Sequence, residues 1–159
     1  MIAPAQLERL WRRIQLMLGH GRIQIGNDSG MVQVHQVQFA GNDVCDEVPR
    51  LTEYGFTSMP KPGCQALVVF IGGDRSNAAI VATNDDNARL KNLQVGEVAV
   101  YDDLGQSVYL TRTGIVINGG GLPVSINNTP SIKHDGVEIG KTHVHGGVTS
   151  GGSVTSVPV

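Results

Sequence analysis

The chain has 159 residues, of which 40% are hydrophobic and 4% aromatic, with 21 glycines and a formal net charge of -2. This length allows one modest domain plus an extension, and the charge balance calls for neither nucleic acid nor an anionic membrane as a partner. Few aromatics and many glycines suit a β protein of slender strands and tight turns. There is no apolar run near 18 residues, so no transmembrane helix is predicted. No basic segment leads into an apolar stretch at the start, so no secretory signal is predicted and synthesis in a cytoplasm is expected. In that compartment Cys45 and Cys64 read as small buried apolar residues, with a disulfide between them as the alternative.

The first predicted element is a helix from Ala5 to Leu18. Leu7, Leu10, Trp11, Ile14 and Met17 recur at spacings of three and four, giving one apolar stripe. Pro4 suits its start, and Gly19 and Gly21 suit its stop. The stripe either packs on the helix's own domain or attaches the protein to a larger assembly, with Trp11 as the natural anchor.

From Arg22 the period changes to two. Arg22 to Ile25 and Met31 to Phe39 alternate apolar with polar residues, and Asn27 to Gly30 reads as the turn between them. A strand is predicted within Asp46 to Tyr54. The stiff turn Met59-Pro60-Lys61-Pro62-Gly63 leads into Gln65 to Ile71, a continuous apolar run suited to a doubly buried central strand. Ala78 to Thr83 completes a set of about five strands. A small closed barrel of the oligonucleotide/oligosaccharide-binding (OB) type accommodates them, because closure removes exposed edges. The polar run Asn84 to Asn87 reads as a domain boundary.

Beyond Leu93 the strands become short and thin: Glu97 to Tyr101, Ser107 to Thr111, Ile115 to Ile117, Pro123 to Asn127, Ser131 to Lys133 and Gly136 to Ile139. Valine and isoleucine dominate, and few large side chains are present to fill a core. Such strands cannot bury their faces alone, and repeated short strands that need neighbours mark a β-helix or β-prism. An intertwined oligomer is therefore predicted for Leu93 to Ile139, with a two-sheet monomeric sandwich as the alternative. The predicted organisation is an N-terminal helix (1–20), an OB-fold domain (21–88), an intertwined β-helical spike (89–140) and a tip (141–159).

That tip contains Lys141-Thr142-His143-Val144-His145-Gly146-Gly147. In an extended segment His143 and His145 point to one face. Two imidazoles are too few for a closed metal site. Around a three-fold axis they become six nitrogens, which suits an octahedral first-row transition ion. Around a two-fold axis they become four, which suits zinc. The thin β region before the pair favours three chains. His20, His35 and His134 are scattered and read as surface or ordinary hydrogen-bonded histidines.

The order of helix, barrel with Pro-Lys-Pro-Gly before a buried strand, Gly-Glu-Val-Ala-Val-Tyr-Asp-Asp-Leu-Gly-Gln and Thr-His-Val-His-Gly-Gly-Val resembles the central spike of contractile-tailed phages, the Mu-like baseplate assembly protein V family. Glu97 to Leu110 and Thr142 to Val148 are its most specific parts. The resemblance implies a mainly β homotrimer with an OB-fold barrel and a triple-stranded β-helix narrowing to a metal-binding tip. It implies one transition-metal ion per trimer, iron in the family, held by His143 and His145 of each chain; some relatives also hold calcium and chloride nearby. It further implies a virion tail baseplate location after assembly in the bacterial host's cytoplasm. Hub or tail-tube proteins would be partners, and the host outer membrane would be pierced when the tail contracts. The ending Thr155 to Val159 is less polar than this family's pattern.

No enzyme is predicted. Gly-x-Ser-x-Gly, His-Glu-x-x-His and a phosphate loop are all missing from the sequence. Asp102 and Asp103, adjacent in a turn, point apart and read as solvated. The alternative functions are an OB-fold nucleic-acid binder, against which stand the charge and the few aromatics for stacking, and a component of a related contractile injection system.

Overall fold

A computed structural model of the chain describes residues 4–141 together with His143, Gly147 and Gly151. It is mainly β with one N-terminal helix, and packs as two units that meet in sequence at Gly120 and Gly121.

Helix α1 spans Pro4–Gln15, and Arg12 and Arg13 in its last turn complement the helix dipole. It is shorter than the predicted Ala5 to Leu18. Strand β1 (Leu18–Asn27) starts almost at once, so Gly19 and Gly21 do not end a helix but lie inside a strand. The reason is close approach. A Cβ on Gly19 would stand 2.7 Å from Phe39 Cε1 and 2.8 Å from Phe70 Cε2. The inward positions of β1 thus hold two glycines before the buried Ile23, and a bulge between Ile23 and Ile25 places a third glycine, Gly26, on the inside. The Phe70 N–H donates to the Met17 carbonyl at 2.8 Å, tying the end of α1 to the barrel.

Around β1 stand β2 (Val34–Gln38), β3 (Val44–Pro49), β4 (Gln65–Phe70) and β5 (Ala78–Asn84). They form one antiparallel sheet in the order β3-β2-β1-β4-β5. Its two edges meet through a parallel bridge between Arg50 and Ile80, where the Leu51 N–H donates to the Ile80 carbonyl at 3.0 Å. The core is Ile23, Val37, Val48, Cys64, Ala66, Val68, Phe70 and Ile80. Cys64 lies in that core as a free thiol, and Cys45, also free, is half-buried against it. Strand β4 is buried on one face only. Ala66, Val68 and Phe70 point in while Leu67 is exposed, because only the inner surface of a barrel is covered within one chain. Arg75, in the β4–β5 turn, lies over the Phe70 and Phe39 rings at 4.6 and 5.0 Å and pairs with Asp43 at 2.6 Å. His35 is buried in β2 and hydrogen-bonded to Gln33, the second of the two situations the sequence reading allowed it.

The second sheet comprises β6 (Val98–Tyr101), β7 (Ser107–Leu110) and β8 (Ile115–Asn118), in that order. Glu97 anchors its entrance. It accepts hydrogen bonds from the Tyr109 hydroxyl, from the Gln94 N–H at 2.8 Å and from the Arg112 N–H at 3.0 Å. These donors hold the Glu97 carboxyl below its usual range, the Tyr109 bond foremost, and the same bond raises the Tyr109 phenol. Lys61, between its two prolines, reaches Asp103 in the β6–β7 turn at 2.9 Å and Asp85 at 3.7 Å. The barrel and the second sheet are therefore joined by a surface ion-pair cluster.

In the second unit, β9 (Lys133–His134) and β10 (Val137–Glu138) form a hairpin. Its two-residue turn, Asp135-Gly136, has positive φ at both positions (47° and 82°), the geometry that favours Asp-Gly. Pro123 to Asn127, predicted as a strand, pairs with no strand among the described residues, although Leu122, Val124 and Ile126 alternate and are exposed.

Two outcomes are expected. Gly19→Ala forces a methyl into the Phe39 and Phe70 rings and should lower stability by about 1–3 kcal/mol. Gly30→Ala, whose added carbon would meet nothing nearer than 3.5 Å, should change it by less than about 0.5 kcal/mol. Thermal melts at fixed chain concentration compare the two. Glu97→Gln should bring the Tyr109 phenol back toward the ordinary value of 10.0, read by tyrosinate absorbance. The stabilising contribution of the Glu97 carboxylate is present above its ordinary 4.5 and is lost as pH falls through its depressed value.

Candidate metal site and assembly surface

The five histidines do not converge within the described residues. His20 in β1 lies 3.1 Å from Gln65 Oε1, His35 is in the barrel interior, and His134 is exposed on β9. His145, with Thr142 and Val144, lies outside the described residues, so the predicted pairing of His143 with His145 does too. Among the described residues no three His, Cys, Asp or Glu side chains stand close enough to hold a metal.

His143 itself is placed in a telling way. Its Nδ1 lies 2.6 Å from the Gly140 carbonyl oxygen, and its backbone N–H donates to the same oxygen at 3.2 Å. A carbonyl only accepts, so Nδ1 carries a proton in this contact. This is how metal-binding imidazoles are commonly oriented. Gly140 is positioned in turn by Glu138, whose Oε1 accepts from the Gly140 N–H at 2.8 Å and the Ile132 N–H at 3.3 Å. Of the predicted donor set His143 alone is among the described residues, and imidazole nitrogen is a donor type that transition ions accept. Sequence reasoning singled out the histidines but missed Glu138 and Gly140. No residue-type signal marks them, because their part runs through a backbone carbonyl.

The second feature is the face of the β6–β8 sheet. Val98, Leu110 and Ile115 are in register across the three strands, as are Val100, Val108 and Ile117. Residues in cross-strand register share a face, and the two rows are two residues apart, so all six share one. Every one of these side chains is between 42% and 71% exposed. The opposite face carries Ala99, Tyr109 and Val116 in one row and Tyr101, Ser107 and Asn118 in the next, a more polar set. A contiguous block of six uncovered aliphatic side chains marks an interaction surface. The face was legible in the Val/Ile-rich alternation.

The adjacent carboxylates Asp102 and Asp103 are engaged in structure. Asp102 Oδ1 accepts from the Leu104 N–H at 3.0 Å and the Gln106 N–H at 2.8 Å, closing its turn, while Asp103 is paired with Lys61. Two open hollows of about 310 Å³ each lie on the barrel. One is bordered by Asp28, Gln33 and Arg50 and the other by His20, Arg22 and Phe39, and neither places a nucleophile beside a base.

Comparison with known proteins gives concordant matches. A profile of the family described as Bacteriophage Mu Gp45, N-terminal, matches residues 21–87. The "Baseplate puncturing device gp45" of Escherichia phage Mu is 36% identical over 108 residues, covering 68% of this chain and 55% of that protein. The "Mu-like prophage FluMu protein gp45" of Haemophilus influenzae is 33% identical over 117 residues, covering 74% of this chain and 61% of that protein. The aligned part is thus between about half and two thirds of these relatives' length. The motifs read from the sequence and these matches agree, residues 21–87 carry the domain of the Bacteriophage Mu Gp45 family, and together they support a Mu-like baseplate spike protein.

Proposed function

We propose that this chain is the central spike of a contractile phage tail baseplate, a structural virion protein. In this reading three copies wind together and perforate the host outer membrane when the tail contracts. The observation that carries this is the uncovered aliphatic face of β6–β8, which follows directly on a family barrel domain. Six aliphatic side chains left roughly half in water forgo about half of the ~1.5–3 kcal/mol that full burial of each contributes. Three copies turning that face to a common axis recover it, and the unpaired alternating stretch 122–126 finds its strand partners in other chains.

The domain reading that goes with this is a helix to residue 20, an OB-fold barrel over 21–88, a spike over 89–140 and a tip over 141–159. Five strands joined in the cyclic order β1-β2-β3-β5-β4 support the OB assignment. At the tip, one transition-metal ion, iron by the family resemblance, would be held through Nε2 of His143 together with His145 from each chain. The ion would tie three chain ends together and supply no chemistry, since the contracting tail does the work. Helix α1, with Leu7, Leu10, Trp11 and Ile14 all exposed, supplies the attachment to other baseplate proteins.

Native mass spectrometry of the full chain, purified without a histidine tag, should show three chains with one transition-metal ion. A monomer contradicts the spike reading, and a metal-free trimer contradicts the tip. Changing His143 and His145 together to alanine should remove the metal and leave the trimer. Ile117→Asp should break the trimer, because a carboxylate placed against an apolar axis costs at least about 3 kcal/mol per chain. Trp11→Ala should leave the trimer intact yet reduce its incorporation into tails. Unchanged incorporation would remove α1 from the attachment surface.

A further inference from the structure

Among the described residues one polar side chain is fully inside the barrel: His35, 1% exposed. Its Nε2 lies 2.9 Å from Gln33 Oε1, and that oxygen also accepts from Arg50 Nη1 at 3.0 Å. Gln33 Nε2 donates to the Ser58 carbonyl at 3.1 Å, which fixes the amide with its oxygen toward His35. The proton of His35 therefore sits on Nε2, and Nδ1 is a bare acceptor. Nδ1 has no hydrogen-bond partner. It faces the backbone of Gly26, where an added Cβ would stand 2.3 Å from Nδ1 and 2.7 Å from Met59 Cε.

The residue that shares Gln33 with His35 is the one that closes the barrel. Arg50 Nη1 donates to the Ser58 carbonyl at 2.5 Å, and Nη2 to Ser58 Oγ at 2.9 Å and to Thr83 Oγ1 at 3.4 Å. Its backbone N–H donates to the Gln33 carbonyl at 2.9 Å. One guanidinium thus pins the segment leading into β2, the segment before β4, and β5, at the seam where the sheet's edges meet.

We propose that neutral His35 is a proton-operated latch on this seam: its protonation unfastens the Gln33–Arg50–Ser58 clasp and releases segment 51–59. A proton taken from solvent onto Nδ1 creates a buried donor with only Gly26 and the Met59 methyl before it. It also places a second cation against the guanidinium that shares the Gln33 oxygen. Neither defect is relieved while the clasp stays shut. The groups acting on this pair are Asp28 from the β1–β2 loop and the Cys64 thiol at the entrance to β4. Gly26 of β1, Ser58 and Met59 of the connecting segment, and Thr83 of β5 bring no charge.

The direction follows from the surroundings. Burial first, and Arg50 second, lower the His35 pKa from its ordinary 6.5, while Asp28 opposes them more weakly. Below 6.5 the unfolded chain binds a proton that the closed barrel refuses. The stability contributed by neutral His35 is therefore present above 6.5 and lost as pH falls through the depressed value.

The full-length chain tests this by two readouts. With histidine-labelled protein, the His35 ring resonances should remain those of neutral imidazole at pH 6.5. Chymotryptic cleavage at Tyr54 and Phe56, normalised to an unfolded peptide at each pH, should accelerate by up to about tenfold per unit as pH falls from 6.5 toward the His35 midpoint, and level off below it. In His35→Gln, which cannot take the proton, the normalised rate should be flat. If that variant fails to fold, the wild-type rates decide alone, since the pH at which they level off must coincide with the midpoint of the His35 ring. Titration of His35 at or above 6.5, pH-independent cleavage of the wild type, or the same acceleration in folded His35→Gln would overturn the latch.

Discussion

The barrel can close because its central strand presents glycine at three close approaches and a single large side chain, Ile23, to the interior. Gly19 and Gly21 on β1 leave room for Phe39, Phe70 and Val37, and Gly26 leaves room for His35. With β1 so slim, side chains from β2, β4 and β5 cross the interior and meet each other, and about eight buried residues fill the core. Arg75 then lies across Phe39 and Phe70, and Arg50 fastens the seam. The same strand receives α1 within two residues, so the helix leaves the barrel along a direction that the barrel dictates.

A core this small uses up little of the chain's aliphatic content. Val98, Val100, Val108, Leu110, Ile115 and Ile117 lie in a second sheet joined to the barrel by the Lys61 cluster, and among the described residues of their unit nothing covers their face. The contrast between the two sheets is the contrast between a finished and an unfinished packing problem. The first closes on itself, and the second presents two rows of aliphatic side chains to whatever symmetry brings to it. Three identical chains are the simplest source of matching rows, since each then supplies one face of a prism.

Much of this was legible from periodicity. The switch from a spacing of three and four to a spacing of two located α1 and the barrel strands, and the thin Val/Ile runs after Glu97 located the second sheet. What could not be read was contact across the fold. Gly19 and Gly21 look like a helix stop until Phe39 and Phe70, distant in sequence, are known to press on them. His35 looks like any strand histidine until its partners Gln33 and Arg50 and the absence of a donor at Nδ1 are seen. Gln65 to Phe70 reads as doubly buried, because an apolar run does not say whether its outer face meets water or another chain. At the tip, His143 and His145 were conspicuous by spacing, whereas Glu138 and Gly140, which orient His143, act through a backbone carbonyl and leave no residue-type signature.

The central claim is that the β6–β8 face, open in one chain, is closed in the assembled protein. Amide hydrogen exchange of the full-length chain at neutral pH addresses it strand by strand. The account predicts that the amides of residues 98–118 exchange as slowly as those of β4 in the barrel core, since both would then belong to buried, cooperatively closed sheets. Exchange of 98–118 on the timescale of the exposed loop 51–57, with β4 still protected, would contradict it.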